Sequence, residues 1–346
     1  MSLLDRLIAR IAREGPITVA DYMTACLHDP QDGYYATRPR IGAAGDFITA
    51  PLVSQMFGEI LGLWAAEVWE RLGAPPRVRL AEWGPGDGTM ISDVLRAAKA
   101  APSFLDACEI WLVETSAPLR ERQAAMLAGA DVRWASSLAE LPIDAPIILI
   151  ANELLDCLPI SQAVFVDGRW VERRVGLGDG GDLVFAPPHT GGEAYLVHEH
   201  SLALAEAARA VAGLIGEADG CALFIDYGRD TSGYGDTLQA LRGHEKESPL
   251  AHPGAADLTA HVDFPAFAAA AAGVKVGATA IVAQGEFLIR LGIETRAAAL
   301  TRARPDQADV IARQLARLIA PAHMGALFKA MGLHSPGLAL PGFEAP

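Results

Sequence analysis

The stretch LAEWGPGDGTM, Leu80 to Met90, constrains this chain more than any other. An apolar run, RVRLAEW, enters it, and a helical pattern, TMISDVLRAAKA, leaves it. Between them Gly84, Gly86 and Gly88 alternate with other residues. Strand, glycine turn and helix, in that order, open a doubly wound nucleotide-binding sheet. Glycine permits the tight turn and lets a ligand approach the backbone closely. An ordinary strand-to-helix turn needs one glycine, not three at alternate positions. Downstream, CEIWLVET, DVRWAS, PIILIANELLD and GCALFIDYG read as further apolar strands, with helical patterns between them. Such alternation predicts an α/β fold with a mainly parallel sheet covered on both faces.

The loop also carries charge. The dinucleotide fingerprint is G-x-G-x-x-G and seats a pyrophosphate on a helix N-terminus. Here the spacing is G-x-G-x-G, with Glu82 before it and Asp87 inside it. Carboxylates beside a pyrophosphate are costly, which argues against a nicotinamide dinucleotide enzyme. They suit a cationic nucleoside without phosphate, and S-adenosylmethionine has that chemistry. Glu114 ends the second strand, thirty residues past Gly84, where a carboxylate can accept both ribose hydroxyls. The expected contacts are therefore Glu82, Gly84, Pro85, Gly86, Asp87, Gly88 and Thr89, then Glu114 and Thr115. Ser136, after the third strand, is placed to border the adenine.

Composition bounds the rest. The chain has 346 residues, 51% of them hydrophobic, and a formal net charge of −14. That suffices for a large core, and the field repels nucleic acid. Cys26, Cys108, Cys157 and Cys221 are far apart, so neither a disulfide frame nor a zinc site is expected. His198 and His200 form an HxH without a third ligand at metal spacing, and no metal is expected. MSLLDRLIARIAREG reads as an amphipathic helix rather than a targeting leader, since it contains Asp5 and Glu14. No apolar run reaches the roughly 20 residues a membrane span needs. The reading is a cytoplasmic protein without membrane insertion.

Residues 1–75 read as a helical extension with a Gly/Pro/Asp-rich loop. It closes with a long helix, LVSQMFGEILGLWAAEVWERLG, for which Thr49 is a candidate cap. The core then runs over 76–346. Within it, Asp167-Gly168 between alternating segments predicts a β-hairpin and an antiparallel insertion over about 161–190. A loop rich in Gly, Pro, His and Asp covers about 228–263. VKVGATAIVAQGEF and MGALFKAMGLH read as two late strands.

Longer stretches narrow the reading. GDFITAPLVSQMFGE (45–59), ANELLDCLP (151–159), FIDYG (224–228) and ADLTAHVDF (256–264), taken with EWGPGDGT and LVETS, resemble the MidA-type family of class I S-adenosylmethionine-dependent methyltransferases. The resemblance runs from about Gly15 to the C-terminus. It implies a Rossmann-like class I fold, S-adenosylmethionine as cofactor and arginine in a protein as acceptor. For the mitochondrial members it implies a matrix-arm subunit of respiratory complex I, and matrix location if the chain is eukaryotic. It also implies that the GDFITAP loop closes over the cofactor, which adds Asp46, Phe47 and Thr49 to the cofactor contacts.

An arginine acceptor must be gripped, oriented and relieved of a proton, and carboxylates do this through paired hydrogen bonds. Glu153, after the fourth strand, is the candidate grip, with Asn152 orienting cofactor or substrate. Asn152 as a helix cap is the structural alternative. Asp226, ending the fifth strand, is the third catalytic candidate. Asp156, Tyr227 and His261 are substrate-side candidates, with Asp257 and Asp263 near them in sequence. A small-molecule methyltransferase and a non-catalytic assembly protein with a relic cofactor site remain the alternatives. The substrate protein and oligomeric state are not set by the sequence.

Overall fold

The computed structural model describes residues 1–37, 49–187, 196–273 and 275–344. Its contacts group the chain into two units. One comprises Met1–Phe47, Leu155–Glu206 and Thr231–Asp263; the other comprises Ile48–Leu154, Ala207–Asp230 and Phe264–Pro346. This partition differs from the expected boundary near residue 75, because the N-terminal segment joins two later segments in one core. The residues of that core include Leu7, Tyr22, Met23, Val175 and Leu258.

The larger unit holds the central sheet. Its strands are β1 (Val78–Trp83), β2 (Cys108–Val113), β3 (Val132–Ala135), β4 (Ile147–Asn152), β5 (Gly220–Arg229) and β6 (Phe328–His334). They lie in the order β3-β2-β1-β4-β5-β6. β1 to β5 run parallel and β6 runs antiparallel to β5. Leu80 aligns with Ile110 on one side and Ile148 on the other. Every residue of β4 is buried, as its unbroken apolar run requires when both sheet faces are covered. The late stretches follow the reading in part: the first gives two two-residue strands, Gly277–Ala278 and Val282–Ala283, both paired with β6, and the second opens with a short helix, Met324–Leu327, before β6.

Helices α1 (Gln55–Arg71), α2 (Thr89–Ala98) and α3 (Ala117–Met126) belong to this unit. Gly58 and Gly62 let α1 lie directly on α2. A Cβ at Gly58 would fall 2.6 Å from Asp93 Cβ, and one at Gly62 2.6 Å from Val94 O. Buried Glu59 receives a bidentate pair from Arg296 at 2.8 and 3.0 Å. The expected long helix is broken. Ala50–Val53 forms a short turn of helix, and Ser54 is extended and caps α1 through Met56 N at 3.3 Å. Thr49 precedes the short helix and makes no side-chain cap bond.

The smaller unit starts with the helix Leu3–Glu14, closed by a Ser2–Asp5 capping box. Thr18 Oγ1 caps the helix Val19–His28 through Asp21 N at 3.0 Å. Its main sheet is antiparallel, in the order Ile17–Thr18, Arg169–Leu177, Ser161–Val166, Val197–His200, with Leu183–Ala186 also pairing Arg169–Leu177. The hairpin turn at Asp167-Gly168 has φ of 52° and 75°, the pair of left-handed residues that a type I′ turn needs. The segment expected as a loop over 228–263 contains a second small antiparallel sheet of Gln239–Arg242, Glu245–Glu247 and Asp257–Thr259. Its tight turn, Gly243-His244, has φ of 60° and 67°. These strands are three or four residues long and their turn lacks an Asn-Gly or Asp-Gly pair, so the local pattern was too short to announce them.

Candidate active site

The glycine loop leaves β1 and starts α2. Gly84, Gly86 and Gly88 have φ of 72°, 54° and 88°, so the alternation answers three left-handed positions in one turn. A Cβ on Gly84 would fall 2.7 Å from Leu154 Cδ1, which places the turn after β4 directly against the loop. Gly84 N donates to Val113 O at 3.1 Å and Gly88 N to Pro85 O at 2.9 Å. Asp87 Oδ1 accepts from Thr89 N at 3.0 Å, so this acid serves the first turn of α2.

Two carboxylates face this loop from buried positions. Glu82 is 3% exposed and its Oε2 has no hydrogen-bond partner among the described residues. Burial, reinforced by the charges of Asp87 and Glu114, pushes its pKa up to about 8. Glu114 is also buried, and desolvation raises its pKa. Its Oε1 accepts from Ser116 N at 2.7 Å and its Oε2 from Gln123 Nε2 at 3.3 Å. Among the described contacts, neither carboxylate is paired with a basic side chain. Thr115 is exposed beside it. Ser136 is exposed after β3; its Oγ accepts from Arg120 Nη2 at 2.9 Å.

At the end of β4 the backbone is strained. Glu153 has φ of 50°, an uncommon conformation for a residue with a side chain. The strain is held from two sides. Asp226, 1% exposed, lies inside β5 rather than at its end, since the strand runs on to Arg229, and accepts from Leu154 N at 3.1 Å. Glu153 Oε1 accepts from Ala50 N at 2.8 Å and from Asn152 Nδ2 at 3.0 Å. Asn152 is the last residue of a strand, not a helix cap, and its buried Oδ1 has no partner among the described residues. Tyr227 is buried with its ring edge-on to Phe328 at 5.4 Å.

The larger unit thus gathers the loop, Glu114, Thr115, Ser136, Asn152, Glu153, Asp226, Tyr227 and Thr49. Asp156 and His261 belong to the smaller unit. There the Asp156 carbonyl accepts from Ala260 N at 2.9 Å, and His261 N donates to Thr237 Oγ1 at 2.9 Å. Asp257 is buried and accepts from Tyr35 Oη at 3.0 and 3.1 Å. Asp46 and Phe47 lie outside the described residues.

Two site residues escaped the sequence reading. Arg120 donates to the Glu114 carbonyl at 2.8 Å and ties it to the end of β3. Gln123 is fully buried between Glu114 and the loop. The available signal was spacing: Gln123 follows buried Leu119 by four residues and so lies on the inward stripe of α3.

The arrangement fits a cationic nucleoside. It offers a turn of three left-handed glycines and two buried acids with no basic partner among the described contacts, one of them just past the end of the second strand. Comparison with known proteins agrees. The family model described as "Putative S-adenosyl-L-methionine-dependent methyltransferase" matches residues 60–281. The protein arginine methyltransferase NDUFAF7, mitochondrial, of Mus musculus is 36% identical over 329 residues, covering 85% of this chain and 75% of its own. The Drosophila melanogaster homologue is 34% identical, covering 96% and 84%. A Burkholderia thailandensis protein solved bound to S-adenosyl-homocysteine superposes with a TM-score of 0.84 at 29% identity, covering 99% of this chain and 92% of its own. With the glycine cradle and the buried acids already in place, the chain belongs to this family of S-adenosylmethionine-dependent methyltransferases.

Proposed function

We propose that this methyltransferase modifies arginine in a protein substrate, with Glu153 as the guanidinium grip. The observation that carries the reading is the strained Glu153 turn, stabilised by Asp226 and Ala50 and abutting the glycine loop through Leu154. Strain of this kind costs about 1–3 kcal/mol and persists where the surroundings impose a particular side-chain position. The relatives named protein arginine methyltransferases support the choice of acceptor.

S-adenosylmethionine, when bound, supplies an electrophilic methyl carbon. The protein's part is positioning. The Glu153 carboxylate accepts guanidinium N–H bonds, turns one nitrogen toward the cofactor side and takes up the proton that nitrogen sheds. Asn152 holds Glu153 through its amide at 3.0 Å. Glu82, Glu114 and the glycine loop hold the cofactor. The finer reading is a matrix-arm subunit of respiratory complex I as acceptor, which the family resemblance suggests. Among the described residues no helix is long and apolar enough to cross a membrane. The proposed compartment is the cytoplasm, or the mitochondrial matrix for a eukaryotic source.

The test uses methyl-labelled S-adenosylmethionine with a protein lysate and with its small-molecule fraction. Wild type should yield labelled methylarginine after acid hydrolysis of the protein. Glu153→Gln should lose at least about 100-fold in rate while keeping S-adenosyl-homocysteine affinity. Label confined to small molecules would overturn the acceptor. An unchanged rate in Glu153→Gln would overturn the role of Glu153. Cofactor binding without any methylated product would favour an assembly protein.

A further inference from the structure

We infer that Gln123 is a positioning residue: its amide sets the Glu114 carboxylate for the ribose and locks it to the glycine loop. The inference rests on the proposed ribose role of Glu114.

Gln123 is 0% exposed, and both ends of its amide are used. Oε1 accepts from Trp134 Nε1 at 2.9 Å. An indole N–H can only donate, so this bond dictates which way the amide faces. Nε2 must then point to the loop and the acid. It donates to Gly86 O at 2.8 Å and lies 3.3 Å from Glu114 Oε2. An amide nitrogen has two hydrogens, and the two contacts use both. Ser116 N holds the other carboxylate oxygen at 2.7 Å. Each Glu114 oxygen thus has a protein donor, and the Thr115 backbone N–H adds to them, which fixes the carboxylate plane. The remaining lone pairs are the acceptors a vicinal diol requires.

The same amide joins four elements: the loop after β1, the end of β2, the strand β3 and the helix α3. Gly88 is close to it as well, since a Cβ there would fall 3.4 Å from Gln123 Cα. A neutral side chain is needed at this place. A carboxylate would repel Glu114 in a buried setting, and an apolar group would leave the Gly86 carbonyl and the Trp134 N–H without their partner.

The experiment compares S-adenosyl-homocysteine with its 2′-deoxyadenosyl analogue by calorimetry. Wild type should prefer the ribo form by about tenfold or more. Gln123→Leu should lose most of that preference while its affinity for the deoxy analogue changes by less than about threefold. Gln123→Glu should bind weakly at neutral pH and recover as acid protonates the new carboxyl, which can then donate. Trp134→Phe keeps Gln123 but frees its amide, and should reduce the preference in the same direction by less. A Gln123→Leu protein that melts earlier yet keeps the ribo preference would overturn the proposal and leave a packing role. If Gln123→Leu does not fold, an unchanged preference in Trp134→Phe overturns it instead. Glu114→Ala separates the two levels: if it keeps the ribo preference, the ribose assignment itself fails.

Discussion

Buried acids are handled differently in the two units. In the smaller unit Glu199, 5% exposed, accepts from Gln162 Nε2 at 2.8 Å, Thr237 N at 2.9 Å and Thr237 Oγ1 at 2.6 Å. Beside it Arg173 Nη1 donates to Gln162 Oε1 at 3.0 Å and to Asp236 Oδ2 at 2.8 Å. In the larger unit Glu82 keeps an oxygen without a partner among the described residues, and Asp87 and Glu114 add charge next to it. A buried polar network with its bonds made stabilises and specifies a fold. A buried acid left incompletely satisfied at the carboxyl edge of a parallel sheet is a place for a cationic ligand. The comparison teaches that burial and charge do not mark a site by themselves. The state of the hydrogen-bond inventory does.

Four substitutions test this contrast, the largest effect first. Arg173→Met removes the cation from the Gln162–Asp236 network and leaves Gln162 Oε1 without that donor. It should cost about 3 kcal/mol of stability, at the low end for a broken buried pair because Asp236 is half-exposed. Urea unfolding measures this, and S-adenosyl-homocysteine affinity of the folded protein should be unchanged. A loss below about 1 kcal/mol would break the contrast.

Glu114→Ala should do the reverse. It removes hydrogen bonds of a charged acceptor to the ribose, worth about 1.5–3 kcal/mol, so affinity falls roughly 10- to 100-fold in calorimetry. The urea midpoint should move less, because relief of the desolvated carboxylate offsets the donors left at Ser116 N and Gln123 Nε2. Gly84→Ala acts on the cradle. Its φ of 72° imposes about 1–2 kcal/mol of left-handed strain, and the flexible end of Leu154 must give way. Stability should fall by that amount, with weaker cofactor binding; an unchanged melting point would show that the loop relaxes freely.

Glu82 sharpens the contrast through pH. Its folded pKa, about 8, lies above the unfolded value near 4.5, so the folded state holds the proton more tightly. The stability it contributes is full below pH 4.5 and is lost as pH rises through about 8. The slope is at most about 1.4 kcal/mol per pH unit. Glu82→Gln should flatten the urea midpoint between pH 5 and pH 8.5, set as roughly the ends of that window. A parallel decline in both proteins would assign the pH dependence elsewhere.

Much of the larger unit was legible locally. The apolar runs of β1, β2, β4 and β5, the three glycines and Glu114 stand in short contiguous stretches, so their place in the fold follows from spacing. Asp167-Gly168 announced its hairpin for the same reason. Gly243-His244 did not, because histidine is an unusual second turn residue. Ser54 was also missed as the break before α1, since a serine inside an apolar helical pattern reads as tolerated until its hydroxyl is seen to cap the next turn. Gln123 and Arg120 look like ordinary polar residues of a helix. Only their partners at the ends of β1, β2 and β3 give them a role, and those partners are distant in sequence.

The sequence by itself determined that a parallel sheet would carry a glycine cradle with acids around it, because alternation, spacing and charge are properties of neighbouring residues. It also determined that the ligand would be cationic rather than a pyrophosphate. Tertiary structure alone decided which buried acids are satisfied and which are left open. It decided that Glu153 would be strained and clasped by Asp226 and Ala50. It also decided that Leu7, Tyr22, Val175 and Leu258, from three separate segments, would share one core. Hydrogen bonds and packing join residues a hundred positions apart, and no local pattern encodes such a pairing.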